Sequence, residues 1–338
     1  MPYLSRRRFL NVSLATVAAA GMQRHARAAE SPATMATKPA NSIGNPRIPK
    51  IAGCFINIYK PLADVYTLPT VTTQPIDGSI TYTQGTTYQD WRTNDHTFIK
   101  DSNNRWHCFG ITKPWMSGDN GHSGEGLCFH AVAPRGTFAQ AATFQSWHDM
   151  PKIKVAECGW APTSVRIGQE YSLIGSRLGR ATSTDLTTWT DKGRLSAKGG
   201  NRDPDIMVWN DTYYLVRCDN NGINLVTSKD FINWSDPRVI YKPEQKSYQT
   251  ESPVLVAYEG LFYLFWTLWN TADPTTGGYC PRSYVHCSES ADDFQEKPVL
   301  AEFTVHAPEI IQGENGQWFM STTDHPHRGI SVAPLIWE

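Results

Sequence analysis

The sequence predicts an all-β chain, a five-bladed β-propeller with a funnel-shaped centre. Three observations carry this. A unit of two paired strand-like runs recurs five times in 338 residues, spaced by roughly 40–70 residues as blade-sized repeats are. The motif Ser/Thr-x-Asp-Φ-x-x-Trp, with Φ apolar, closes some of these units, and helical signatures are scarce. Between the paired runs stand the Asn, Asp and Gly residues that tight hairpins require.

The units follow in order. The first reads His96-Thr97-Phe98-Ile99 then Trp106-His107-Cys108-Phe109-Gly110, joined by Lys100-Asp101-Ser102-Asn103-Asn104. The second is Thr163–Arg166 with Glu170–Ile174, and the third Asp205–Val208 with Thr212–Val216. The fourth is Pro253–Val256 with Leu261–Phe265, and the fifth Pro308–Ile311 with Gln317–Met320. The closing motif is clear in Thr184-Asp185-Leu186-Thr187-Thr188-Trp189 and Lys229-Asp230-Phe231-Ile232-Asn233-Trp234. It is weaker in Ala142–Trp147 and Ser290–Phe294. Five such sheets around an axis make a propeller. A sandwich of short strands would not be expected to repeat the motif at corresponding places. The last unit ends near the C-terminus and lacks an outer strand unless Ile51–Tyr59 supplies one. Closure of that kind ties the two ends of the ring together.

Ahead of the propeller, Ser5-Arg6-Arg7-Arg8-Phe9-Leu10 matches the twin-arginine export pattern. An apolar stretch from Val12 to Met22 and a small-x-small site at Ala26-Arg27-Ala28 follow. That stretch is too short and too interrupted to span a bilayer. Residues 1–28 therefore read as a signal peptide, 29–48 as a flexible linker and 49–338 as the propeller. Removing residues 1–28 takes away five Arg and no acid, leaving 26 Lys+Arg against 32 Asp+Glu, a net charge of −6. The expected location is periplasmic or secreted, with the Tat translocase as a transient partner and no membrane anchor after processing.

Composition narrows the partner class. With 12 Trp, 14 Tyr and 13 Phe, aromatics make up 12% of the chain. Indole faces suit sugar C–H faces, although propeller blades also use Trp as core filler. No basic stripe appears, which argues against nucleic acid. Seven Cys leave at least one unpaired, and Cys280 with Cys287 is the expected disulfide. No CxxC pair or CxxC…HxxxH spacing points to structural zinc, and no metal or other cofactor is expected.

Three carboxylates carry the chemistry. Asp95 lies in Thr93-Asn94-Asp95-His96, Asp203 in Arg202-Asp203-Pro204-Asp205 and Glu251 in Thr250-Glu251-Ser252-Pro253. Each stands at the head of an inner-strand run, so a closed ring brings all three to its axis. An acidic residue before a strand can also simply cap a turn. Carboxylates gathered in one polar funnel are the equipment of glycosidic bond cleavage: one attacks the anomeric carbon or activates water, another protonates the leaving oxygen.

Here the chain resembles the five-bladed propeller glycoside hydrolases of families 32, 68 and 43. Arg202-Asp203-Pro204 matches the Arg-Asp-Pro motif of the fructosidase families. Trp91-Arg92-Thr93-Asn94-Asp95 is similar to their Trp-x-Asn-Asp-Pro motif, with one extra residue and His96 for Pro. Thr250-Glu251-Ser252-Pro253 is similar to Glu-Cys-Pro, with Ser for Cys. The acid spacings of 108 and 48 residues suit that order. His306-Ala307-Pro308-Glu309 also resembles family 43, in which the first Asp is a base and the reaction inverts.

The resemblance implies Asp95 as nucleophile or base, Asp203 as transition-state stabiliser and Glu251 as acid/base. It implies Trp91, Asn94, Trp115, Trp160 and Arg202 as sugar contacts, and His96 and His306 as rim or channel residues. The activity it implies is cleavage of furanosides in an oligo- or polysaccharide, first a β-fructosidase. The alternatives are an inverting arabinofuranosidase or β-xylosidase and a non-catalytic sugar-binding propeller. Asp324-His325-Pro326-His327 carries a His-x-His that could hold a metal but reads first as polar loop.

Overall fold

The computed structural model describes residues 45–61, 91–114, 127–153, 160–200, 202–219, 222–273, 275, 278–324 and 329–338. The expected signal peptide, most of the linker, Trp115, Cys158 and the pair His325 and His327 lie outside the described residues.

Among the described residues the strands form five antiparallel sheets. Blade one is β3 (Trp91–Lys100), β4 (Trp106–Pro114), β5 (Leu127–Val132) and β6 (His148–Ile153). Blade two is β7 (Thr163–Ile167), β8 (Glu170–Ile174), β9 (Gly179–Ser183) and β10 (Thr190–Arg194). Blade three is β11 (Arg202–Trp209), β12 (Thr212–Asp219), β13 (Gly222–Ser228) and β14 (Arg238–Tyr241). Blade four is β15 (Tyr248–Tyr258), β16 (Leu261–Asn270), β17 (Tyr279–Ser288) and β18 (Val299–Phe303). Each blade is a meander in chain order, as hairpin connections demand.

Blade five joins the chain's two ends. β19 (Ile310–Gln312), β20 (Trp318–Thr323) and β21 (Ile330–Trp337) come from the C-terminus. β1 (Pro49–Ile51) and β2 (Ile56–Tyr59) both pair with β21. The expected outer strand is thus supplied by the N-terminal run, in two pieces. Ile58 and Tyr59 are fully buried there, which anchors the closure. Contacts reach upstream of residue 49: Ile48 and Glu338 exchange backbone bonds of 2.7 and 3.0 Å, and Arg47 N donates to Tyr263 Oη at 2.9 Å.

The core sits between neighbouring sheets. Between blades three and four, Val216, Leu225 and Ile240 pack on Leu255, Leu264, Trp266 and Phe294. Between blades five and one, Ile58, Tyr59, Ile311 and Phe319 pack on Phe129, Phe138 and Trp147. Each large side chain buried in this way contributes about 1.5–3 kcal/mol relative to exposure.

The repeated Asp-Φ-x-x-Trp motif has a local cause. It lies between the third and fourth strands of a blade, not at an outer strand's end. Asp185 Oδ1 accepts from the backbone N–H of Thr187 and Thr188, both at 2.7 Å, and Asp230 Oδ1 from Ile232 and Asn233 at 2.9 and 2.8 Å. The Ser183 and Ser228 hydroxyls accept from Leu186 N and Phe231 N at 2.8 and 2.9 Å. These are side-chain-capped turns that drive the buried Φ residue inward.

One expectation fails. Cys280 and Cys287 are both free, because they stand seven positions apart on one strand, β17, rather than across a loop. At about 3.4 Å per residue that separation far exceeds the reach of a disulfide.

Candidate active site

Each predicted acid sits in an irregularity of an innermost strand. The ladder register shifts between Thr93 and His96 in β3, between Arg202 and Asp205 in β11, and between Glu251 and Val254 in β15. Such bulges re-aim side chains and recur beside active sites. A common local sequence builds most of them. In blades two to five a residue of positive φ precedes proline: Ala161 (φ 40°), Asp203 (53°), Ser252 (43°) and Ala307 (47°). Proline lacks an N–H for the ladder, so it fits where pairing is already broken. Blade one has His96 in the proline place and makes room differently. A Cβ on Gly110, opposite His96, would lie 2.4 Å from Phe129 Cε1 and 2.8 Å from the Asp95 carbonyl oxygen.

The bulges bring the three acids into one hydrogen-bonded group. The Ser252 hydroxyl donates to Asp95 Oδ1, across from blade four to blade one. Ser252 N lies 3.3 Å from Asp203 Oδ2, so one residue touches two acids. Arg202 Nη1 donates to Glu251 Oε1 at 2.8 Å and lies 3.9 Å from Asp203 Oδ2, while Nη2 donates to the Thr250 carbonyl at 2.9 Å. Asp203 N is held by the Ser176 hydroxyl of blade two at 3.3 Å.

The electrostatics follow from crowding. Burial first, then the neighbouring Asp203 charge, pushes the Asp95 carboxyl up to about 7, against the Ser252 hydrogen bond. Burial also pushes Glu251 up to about 8, with Asp203 and Asp95 acting in the same direction and Arg202 opposing. Near neutral pH such a pair offers a proton acceptor beside a proton donor.

Two further carboxyls belong to this channel. Asp205 Oδ2 accepts from Leu255 N at 3.1 Å, and burial raises its carboxyl to about 6. Glu309 is raised well above the usual range by burial and by Asp205 and Asp95. Both stand immediately after the bulge proline, at Pro204 and Pro308. That position was the available signal for them. Ser252 was visible only as a substitution within a motif, yet it touches both aspartates.

The expected binding residues divide. Arg202 meets the acids directly. His96 is 1% exposed, its Nε2 2.7 Å from Ser321 Oγ, and burial lowers it to about 3, so it is a neutral channel residue. His306 is buried against Tyr279, ring centroids 4.3 Å apart. Asn94 is 8% exposed, and its Oδ1 has no hydrogen-bond partner among the described residues. Trp160 is half-buried at the entry of blade two with the Arg177 guanidinium 5.0 Å from its ring. Trp91 is 2% exposed with Lys152 Nζ 3.8 Å over its ring, the surroundings of a packed indole rather than an open stacking face.

No group of three or more His, Cys, Asp or Glu suited to a metal ion occurs among the described residues. No helix among them is long and apolar enough to cross a membrane.

Comparison with known proteins bears on the fold and on the class of reaction. The family model "Glycosyl hydrolases family 43" matches residues 196–336, the segment that carries Arg202, Asp203 and Glu251. No curated protein matches. Among solved structures, the chain is similar to an exo-1,5-α-L-arabinanase from a bovine ruminal metagenomic library. The TM-score is 0.51 at 15% identity, covering 73% of this chain and 97% of that one. It is similar to a Penicillium chrysogenum α-L-arabinanase complexed with arabinobiose, with TM-score 0.53, 10% identity, and 84% and 97% coverage. It is also similar to a Bombyx mori family 32 β-fructofuranosidase, with TM-score 0.53, 17% identity, and 72% and 60% coverage. At these identities the structural likeness speaks to the fold, a five-bladed propeller. The family match over the acid-bearing segment indicates an enzyme that hydrolyses glycosidic bonds.

Proposed function

We propose that this protein is an inverting glycoside hydrolase acting on pentose-containing polysaccharide, first of all arabinan. The observation that carries the reading is the two buried carboxyls Asp95 and Glu251. Both are raised toward neutrality, and they are linked to Asp203 through Ser252 and Arg202.

In this reading Glu251, protonated near pH 7, gives its proton to the glycosidic oxygen as the bond to the anomeric carbon breaks. Asp95 removes a proton from a water that attacks the opposite face of that carbon, and the product carries the inverted configuration. A carboxyl poised near 7 suits a base, whereas a nucleophile works best fully ionised. That favours inversion over the retaining β-fructosidase first expected from the motifs, as does the family 43 match. Arg202 holds Glu251 and sits beside Asp203, so it keeps the acid's carboxyl aimed while positive charge develops on the sugar ring.

The direct test is sugar release by the purified protein from arabinan, aryl arabinofuranoside, aryl xyloside, sucrose, inulin and levan. Release of arabinose that disappears in Glu251→Gln supports the reading. Fructose release without pentose release overturns it in favour of the fructosidase.

We also infer export by the twin-arginine route, on the strength of Ser5-Arg6-Arg7-Arg8-Phe9-Leu10. Replacing Arg6 and Arg7 by Lys should leave the protein in the cytoplasmic fraction of an expressing bacterium. Unchanged export would contradict this.

A further inference from the structure

We propose that a cleft on the outer flank of the propeller, between blades three and four, is a second carbohydrate site that holds a neutral sugar unit of the polysaccharide substrate. The ligand class rests on the reading above; the existence of the cleft does not.

The cleft measures about 370 Å³, within the size range of small-molecule sites. Its walls are Tyr241 at the end of β14, Tyr248 at the start of β15 and Tyr284 of β17, all half-buried. Trp266 and His286 also line it, each 2% exposed, their rings stacked at 6.4 Å and 12°. Both carry an unused polar atom. Trp266 Nε1 and His286 Nε2 have no hydrogen-bond partner among the described residues. Leaving such groups unpaired is costly, so each calls for a ligand or a bound water.

The chemistry of the two atoms selects the ligand. His286 Nδ1 is 2.8 Å from the Lys297 carbonyl, which can only accept, so Nδ1 carries the proton and Nε2 presents a lone pair. Both atoms are buried, so they would act only on a group seated against the Trp266 and His286 rings, the indole N–H as a donor and the imidazole Nε2 as an acceptor. A cation would meet the indole N–H, and an anion would meet the imidazole lone pair. Adjacent sugar hydroxyls, each able to donate and accept, satisfy both. The tyrosine rings supply apolar faces for the sugar's C–H surface. The rim carries both signs, Lys242 and Lys297 with Glu244 between them in sequence.

Register places the cleft relative to the acids. Arg202 pairs with Cys218, Cys218 with Ile223 and Ile223 with Tyr241. Tyr241 is thus level with Arg202 but three strands outward, about 14 Å at the usual strand spacing. That is a distance a polymer spans and a monosaccharide glycoside does not.

The test is affinity electrophoresis of the full chain through gels containing arabinan, xylan or levan, with hydrolysis of an aryl glycoside measured in parallel. Variants are Tyr248→Ala with Tyr284→Ala, the same pair changed to Phe, and Glu251→Gln. We expect polymer retardation to survive Glu251→Gln and the Phe pair. It should fall at least fivefold in the Ala pair, with aryl glycoside hydrolysis unchanged. Wild-type retardation in the Ala pair overturns the proposal, and so does absence of retardation on every polymer. Retardation that depends on the tyrosines, in a protein that hydrolyses nothing on the panel, supports the cleft and sinks the catalytic reading alone.

Discussion

At the scale of single residues, the site is a set of carboxyls whose protonation is set by their neighbours, and each neighbour makes a distinct prediction. Glu251→Gln should lower kcat on a polysaccharide by about 10²–10⁴, the usual worth of a positioned acid. An aryl glycoside with an acidic leaving group needs little protonation and should lose much less. Asp95→Asn removes the proposed base and should cost a similar factor on both substrates; parallel kinetics on the two decide the assignment. The Ser252 hydroxyl favours the ionised form of Asp95. Ser252→Ala should therefore move the acidic limb of the kcat/KM profile upward, by up to about one pH unit. Arg202 opposes the rise in Glu251. Arg202→Met should move the alkaline limb upward as well. A downward shift in either variant contradicts the network. The Asp95 charge also raises Glu251, so the two limbs are not independent and both variants are to be read against the whole profile.

At the scale of the strand, bulges turn the acids into the channel. Gly110 is needed because Phe129 and the Asp95 carbonyl approach it closely. Gly110→Ala should cost about 1–3 kcal/mol as overpacking does, and should reduce activity further by shifting Asp95. Denaturant unfolding and kcat measured on the same variant separate the two effects. The positive φ at Ala161 and Ala307 makes a second prediction. Substitution by Val, the better strand former, should destabilise more than substitution by Gly, because a β-branched side chain tolerates that region least.

These bulges also mark what was legible in advance. The acids Asp95, Asp203 and Glu251 stood out because short motifs surround them at the head of each inner strand. The inner and second strands stood out by their apolar runs and turn residues. Asp205 and Glu309 were less visible because their role depends on the register shift that precedes them, a three-dimensional property. The pairing of Cys280 with Cys287 failed because the short loop expected between them is part of one long strand, β17.

At the scale of the whole molecule, ring closure and pH dependence are linked to the same architecture. β1 and β2 complete blade five and bury Ile58 and Tyr59. A chain starting at residue 60 should lose several kcal/mol, since burial of even one such side chain is worth about 1.5–3 kcal/mol. The buried titratable groups act in opposite directions on stability. Asp95, Asp205 and Glu251 have raised carboxyls, so their stabilising contribution is fully present below about pH 4 and is lost as pH rises through about 6 to 8. His96 and His130 are lowered to about 3 by burial, so their contribution is present above about 6.5 and is lost as pH falls toward 3. Glu251→Gln should therefore raise the melting temperature at pH 8 more than at pH 5. The reverse order would contradict the placement of Glu251 among buried acids.

The central claim is that Asp95 and Glu251 act as base and acid on opposite faces of the sugar. It is tested most directly by proton NMR of the first sugar released from an aryl α-L-arabinofuranoside, read before mutarotation. The expected product is the β-anomer, formed by a single inversion. Initial release of the α-anomer would mean two displacements through a covalent intermediate, and would make Asp95 a nucleophile rather than a base.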